Sequence, residues 1–229
     1  MFLIGFGQGV DALGDYEVSE LTMLVPDLLT AGIVSIAVQR QPDTRIHCVL
    51  GNGKVAILTY EPQEEVICWS MYETDGVVEK AMVLPGAGED RVYYHVNRTI
   101  NGATKRYLER WASEAESIGD TGLSWIADCA KSYTDTGRAT ALTGFSHLEG
   151  EAVVVWGDDT GQALAGRDFS PDVSGVQTTY TVSSGTVTLS EPTHHAGVGL
   201  PYTADWKSTK LAYAAEAGTA LGQMKRTGT

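Results

Sequence analysis

From residue 33 onward, apolar and polar positions alternate in a way that predicts short strands, not long helices. Four strand-like runs follow in succession, at Ile33–Gln39, Arg45–Leu50, 54–60 and Val66–Tyr72. Between them lie Gln41-Pro42-Asp43, Gly51-Asn52-Gly53 and Glu61-Pro62-Gln63-Glu64, all of which carry turn chemistry. Reading Asn52-Gly53 as a two-residue hairpin turn sets Leu50 opposite Val55, Cys48 opposite Ile57 and Ile46 opposite Thr59. One face of that pair is then continuous and mostly apolar, as a buried sheet face should be. Four consecutive antiparallel strands make the unit of a β-propeller blade, and the same count suits a meander or a sandwich.

A second group of strands is predicted at Val77–Leu84, 91–97 and 104–110, with Asn101-Gly102 as a hairpin turn. Its register sets Val96 opposite Tyr107 and Val92 opposite Trp111. Tyr107, Leu108, Trp111, Ala112, Ala115 and Ile118 also fit a helical period, so 112–118 is read as a helical turn after the strand. Beyond residue 125 the chain is rich in Ser, Thr and Gly, with a short apolar run at 152–156. The stretch 178–190 reads as a hairpin turning at Ser184-Gly185, with Val182 opposite Val187 and Tyr180 opposite Leu189. Its other face carries Thr179, Thr181, Ser183, Thr186, Thr188 and Ser190, so one side is core and the other wet. Helix is predicted only weakly, at 18–29, where Pro26 interrupts, and at 211–226, where Gly218 and Gly222 each cost about 1 kcal/mol against Ala.

Composition supports the strand reading: among 229 residues, 43% are hydrophobic and 20% charged, which excludes a disordered chain. The 26 glycines match many tight turns. Twenty-nine acids against sixteen bases give a net charge of −13, which argues against gripping nucleic acid, because that grip comes from cations replacing counterions on phosphates. There is no polybasic cluster for anionic membranes, and the apolar start at 1–9 is short and lacks a basic n-region. Cys48, Cys68 and Cys129 are odd in number and show no Cys-x-x-Cys spacing, so they read as reduced, packed residues.

The residues that could carry chemistry do not form a constellation. His194-His195 are neighbours whose side chains diverge in a strand, which disfavours a shared metal. Asp158-Asp159 with Asp168 and Asp172 lack the calcium-loop pattern and read as turn residues. Gly5-Phe6-Gly7-Gln8-Gly9 lacks the Lys-Ser/Thr ending of a phosphate loop. Glu64-Glu65 and Glu114/Glu116 are acid pairs of a kind common on solvated faces, and a dispersed Cys–His pair singles out no cysteine. The tryptophans Trp69, Trp111, Trp125, Trp156 and Trp206 read as anchors of small sheet cores, with glycan stacking as the alternative. The expectation is therefore no catalytic, cofactor-binding or metal-binding residues.

One resemblance runs through the chain in order. Gln41-Pro42-Asp43-Thr44-Arg45, Gly53-Lys54-Val55-Ala56-Ile57-Leu58-Thr59-Tyr60 and Glu64-Glu65-Val66 with Trp69 resemble the propeller-like region of tailed-bacteriophage tail nozzle proteins, a family that includes phage stabilisation proteins. The likeness continues through Thr74-Asp75-Gly76-Val77-Val78-Glu79, Arg98-Thr99-Ile100-Asn101-Gly102 and Arg106-Tyr107-Leu108-Glu109-Arg110. His147-Leu148-Glu149-Gly150, Ser184-Gly185-Thr186-Val187-Thr188-Leu189 and Val198-Gly199-Leu200-Pro201-Tyr202 complete it, over roughly residues 33–205. Members of that family are longer, so the resemblance implies a shortened or partial member.

The resulting expectation is a mainly β protein with little helix. It divides into a propeller-like antiparallel region at 1–112 and a small β-barrel or sandwich at 113–229 with a C-terminal helix. The resemblance implies a non-enzymatic tail component made in the bacterial cytoplasm and carried in the virion tail. It would form a homo-oligomeric ring, contact portal–adaptor or other tail proteins, and let DNA pass without tight binding or a membrane anchor. The alternative is a glycan-binding β module of a tail fibre.

Overall fold

Antiparallel sheets built mostly from neighbours in sequence make up the computed structural model, which describes residues 7–10, 16–18, 20–23, 25–113, 127–158, 166–168 and 179–206. A small ladder pairs β1 (Gly7–Val10) with β2 (Tyr16–Val18). The first large sheet is a four-stranded meander of β3 (Ile33–Gln39), β4 (Arg45–Leu50), β5 (Val55–Glu61) and β6 (Val66–Tyr72), in that spatial order. The second is a three-stranded meander of β7 (Val77–Leu84), β8 (Arg91–Ile100) and β9 (Ala103–Arg110). The third contains β10 (Asp128–Thr143), β11 (Ala152–Asp158), β12 (Gly166–Asp168), β13 (Tyr180–Thr181) and β14 (Thr186–Leu200).

Strands β4 and β5 are buried on both faces, more than the one apolar face expected. On one side Ile46, Cys48, Leu50, Ala56, Leu58 and Tyr60 pack under Leu21 and Leu29. On the other, Val49, Val55 and Ile57 meet Val78, Ala81, Val92, Tyr94 and Val96 of the second sheet. The two meanders therefore stack face to face. Strand β3 lies beside β7, where Ser35 Oγ accepts from the Ala81 N–H at 3.5 Å. Asp90 ties the loop ends at one side, accepting from the backbone N–H of Arg40 at 2.8 Å and of Gln41 at 3.3 Å.

The hairpin register at Asn52-Gly53 is corrected by one residue. Val49 pairs with Val55, Cys48 with Ala56 and Ile46 with Leu58, around a three-residue loop 51–53. Both neighbouring layers hold this loop. The Gly51 N–H donates to Gly32 O at 2.9 Å, and Gly53 O accepts from Val78 N at 3.0 Å. Gly53 sits at φ +82° with an imagined Cβ 2.8 Å from Val77 Cγ1, so a side chain there meets both strain and a clash. Asn101-Gly102, by contrast, turns as expected with both residues at positive φ, and Val96 pairs with Tyr107. Trp111 N donates to Val92 O, so the strand reading prevails over the helical one at 104–110. The proposed helical turn at 112–118 lies mostly outside the described residues, and the helix at 211–226 lies wholly outside them.

Three further expectations are overturned in whole or in part. The described part of 18–29 contains no helix. Its hydrogen bonds are successive i→i+3 turns, Val25 N to Thr22 O and Leu28 N to Val25 O, and Pro26 has no N–H to extend them. The 178–190 hairpin closes through one bridge, Ser183 with Thr186, and then opens. Strand β13 runs along β11, whereas β14 pairs with β10 and β11. The Ser146–Leu148 turn and its flanks take hold of the corner: Phe145 N donates to Gly185 O, and the Glu149 carboxylate accepts from Ser184 and Gly185 N–H at 2.8 and 2.7 Å. The alternation survives, with Val182, Val187 and Leu189 in the core and Thr181, Thr188 and Ser190 exposed. Of the expected barrel or sandwich, the barrel is absent among the described residues: the third sheet is open, in the order β10-β14-β11-β12.

Candidate functional site

The densest set of ionisable groups lies where the three large sheets meet. In β8 the inward positions run Val92, Tyr94, Val96, Arg98, Ile100, which places a guanidinium in a row of otherwise apolar and aromatic side chains. The Arg98 side chain is fully buried and binds Glu109 of β9 through two nitrogens, at 2.6 and 2.8 Å. Its third nitrogen donates to the Asp75 carbonyl before β7. Burial opposes the charge of Arg98, but the hydrogen bonds and charge of Glu109 outweigh it and raise the guanidinium above its ordinary pKa.

Around this pair stand groups from every layer. Tyr72 at the end of β6 donates to Asp128 Oδ1 at 3.4 Å, and Tyr107 of β9 donates to the His147 carbonyl at 2.9 Å. Burial raises the Asp128 carboxyl above its usual range. Cys129, at φ +49°, has its thiol pushed up to about 12 by burial and then by the Glu109 charge. His147 is lowered by burial, and its Nε2 lies 3.3 Å from the Cys129 carbonyl oxygen. A thiol held protonated beside a carboxylate is the reverse of an activated nucleophile. What this arrangement does is tie β8 to β9 through a charge-assisted pair and tie the sheets to one another through the Tyr72 and Tyr107 hydroxyls.

A second buried polar network sits between the two meanders. His47 of β4 is fully buried; its Nδ1 is 2.7 Å from Tyr94 Oη and its Nε2 is 3.4 Å from Gln39 Oε1. Gln39 Nε2 donates to the Gln41 carbonyl, so Oε1 faces the ring as an acceptor. The consistent tautomer has Nε2–H donating to Gln39 and Nδ1 accepting from Tyr94. Trp111, 5.1 Å from the His47 ring centroid, and Tyr72 complete an aromatic cage. Burial first, and the Arg45 charge second, lower the His47 pKa to about 4.

The residues singled out in sequence are scattered. The His194 and His195 ring centroids lie 6.3 Å apart, and His195 Nδ1 is 3.2 Å from Thr134 Oγ1 on β10. Asp158 is laddered opposite Gly166 and Asp168 opposite Trp156, while Asp159 and Asp172 lie outside the described residues. Gly7 and Gly9 belong to β1, and Gly5 lies outside the described residues. Glu64 ends a 3-10 turn, and Glu65 closes it in the left-handed conformation. Among the described residues no three His, Cys, Asp or Glu side chains converge as metal ligands. Trp69 is anchored through its Nε1 to Leu21 O at 2.9 Å, Trp156 is half-buried, and Trp206 is 87% exposed. Trp125, Glu114 and Glu116 lie outside the described residues.

Neither buried network stands out in the sequence. Arg98 carries a readable signal: the Asn101-Gly102 register places it at the same parity as Val96 and Tyr107, on the core face. His47 carries no such mark, since apolar residues flank it on both sides of the strand. Of the three free cysteines, Cys68 is exposed, and Cys48 is buried with its thiol pushed up to about 11. At about pH 8 a water-soluble thiol reagent is expected to modify Cys68 rapidly, with Cys48 and Cys129 reacting only on unfolding. Intact-mass spectra showing more than one fast adduct would contradict that placement.

No family model matches the chain, and no curated protein matches it.

Proposed function

We propose that the chain is a structural component of a phage or prophage tail, of the nozzle or neck type, with no catalytic site of its own. The stacking of two consecutive meanders, β3–β6 on β7–β9 with β3 beside β7, carries this reading, because successive blades of a propeller pack in that way. The ordered motifs between residues 33 and 205 point in the same direction. Buried charges used as struts at the sheet junction suit a scaffold. A surplus of carboxylates suits a channel wall along which DNA slides without adhering. In this role the chain works as a homo-oligomeric ring next to portal–adaptor or other tail proteins, made in the bacterial cytoplasm and carried in the virion. No helix among the described residues is long and apolar enough to cross a membrane.

Light scattering on a size-exclusion column, repeated across protein concentrations, tests this reading together with negative-stain microscopy. A discrete oligomer that images as a ring with a central opening is the expected result. A monomer at every concentration would overturn it. The exposure of Trp206, with Tyr202 earlier in the same segment 49% exposed, favours a second reading as a glycan-binding module. Glycan-array binding that disappears with Trp206→Ala would support that alternative.

A further inference from the structure

Strand β6, Val-Ile-Cys-Trp-Ser-Met-Tyr, is the outer edge of the first sheet and contains neither a charge nor a proline. Ile67 is 53% exposed and Met71 40%. Tyr60 N donates to Thr44 O, so residues 56, 58 and 60 of β5 bond towards β4, and 55, 57 and 59 towards β6. Through the pairs Val55–Tyr72, Ile57–Ser70 and Thr59–Cys68, the N–H and C=O groups of Ile67, Trp69 and Met71 then point away from the sheet. Among the described residues no strand pairs with that edge. Folded proteins guard such edges with charges, bulges or cover, and among the described residues β6 has no such guard along its length.

We propose that β6 of one copy accepts β9 of a second copy as an added strand, head to tail. The choice of occupant follows from charge. Glu64 and Glu65 precede β6, and Glu73 and Asp75 follow it. A two-fold β6–β6 pairing centred on Trp69 would set Glu65 opposite Glu73 on both sides, a like-charge arrangement that the Lys54–Glu73 ion pair offsets only in part. Strand β9 is the opposite kind of edge: its eight residues include Lys105, Arg106 and Arg110 against the single acid Glu109, which turns to Arg98, although Arg106 also bonds Glu79 of β7. Because Trp111 N bonds to Val92 O, the backbone groups of residues 104, 106, 108 and 110 face outward. A basic edge strand laid along an acid-flanked apolar one is complementary in both hydrogen bonding and charge. The other edges of these two sheets, β3 and β7, lie beside each other within one chain. A head-to-tail contact of this kind closes into a ring when its rotation permits, and in this respect the inference rests on the self-assembly proposed above.

The test is light scattering on the full chain, with circular dichroism to confirm folding. Ile67→Pro removes an outward N–H while leaving the β5 ladder intact, and Ile67→Lys places a charge on the same edge. Leu108→Pro and Leu108→Glu do the same on β9, where Leu108 is 61% exposed. Each folded variant alone is expected to run as a monomer at concentrations where the wild type gains mass. An Ile67 variant mixed with a Leu108 variant keeps one intact copy of each edge, and should give a one-to-one heterodimer and nothing larger. Wild-type-like assembly of the Ile67 variants would overturn the proposal, as would Leu108 variants that assemble while the Ile67 variants do not. Rings that survive both sets of changes would leave the tail-component reading standing without this contact. Wild-type dimers that never close would keep the contact and remove the ring.

Discussion

Replacing Arg98 with methionine is expected to cost about 3–5 kcal/mol of unfolding free energy, because it breaks a buried ion pair from one side only. The guanidinium is fully buried, doubly bonded to Glu109, and bonded again to the Asp75 carbonyl. Its removal leaves the Glu109 carboxylate without its cation in a site where Asp128 is already held back from ionising by burial. Breaking one half of such a pair costs more than the pair contributes, because the Glu109 carboxylate, 17% exposed, is only partly rehydrated. The double variant Arg98→Met/Glu109→Met is therefore expected to recover most of the loss. Urea titrations of wild type, both single variants and the double would form the cycle. A loss below about 1 kcal/mol for Arg98→Met would show that the junction does not depend on this pair.

Acidification should destabilise the protein through His47 before the bulk of the carboxylates titrate. In the unfolded chain this ring takes up a proton near its ordinary value of 6.5, whereas in the folded state it does so only at about 4. The unfolded state thus binds more protons between those values, so stability is fully present above pH 6.5 and falls as pH drops towards 4. The full contribution is on the order of 3 kcal/mol. His147, also lowered by burial, acts in the same direction, whereas the raised Asp128 carboxyl acts in the opposite one. The informative quantity is accordingly the difference from His47→Gln, whose unfolding free energy should change much less between about pH 7 and 4. Parallel pH profiles for the two proteins would show that the ring is already charged or accessible to water in the fold.

The buried networks and the assembly edge differ in how far they are legible in the sequence. Arg98 occupies a core-parity position in a hairpin whose register is readable, yet its partner lies four positions along the next strand from the residue directly opposite it. Only a formed sheet brings the two together. His47 is polar among apolar neighbours, and nothing in its immediate sequence shows that Tyr94, Gln39 and Trp111 surround it. The uncharged run of β6 is plain in the sequence, but whether its outer side is paired is not.

Between residues 33 and 110 the local sequence is enough to say where strands form and where most of them turn, whereas β10 and residues 191–200 of β14 are not legible in it. Period-two alternation and residues such as Asn101-Gly102 act over a few bonds, and they act alike in any tertiary setting. It also determined which positions of 180–190 are core and which are wet, since that parity holds whichever strand lies alongside. Only the tertiary structure decided the register at 51–53, because the Gly32 and Val78 backbones, from layers on either side, claim that loop's hydrogen bonds. It likewise opened the 178–190 hairpin, where Glu149 and Phe145 hold the corner and β11 takes the strand that β14 would otherwise have paired. Backbone donors and acceptors are satisfied by whichever partner the packed layers bring nearest, and that choice is not encoded within a single hairpin.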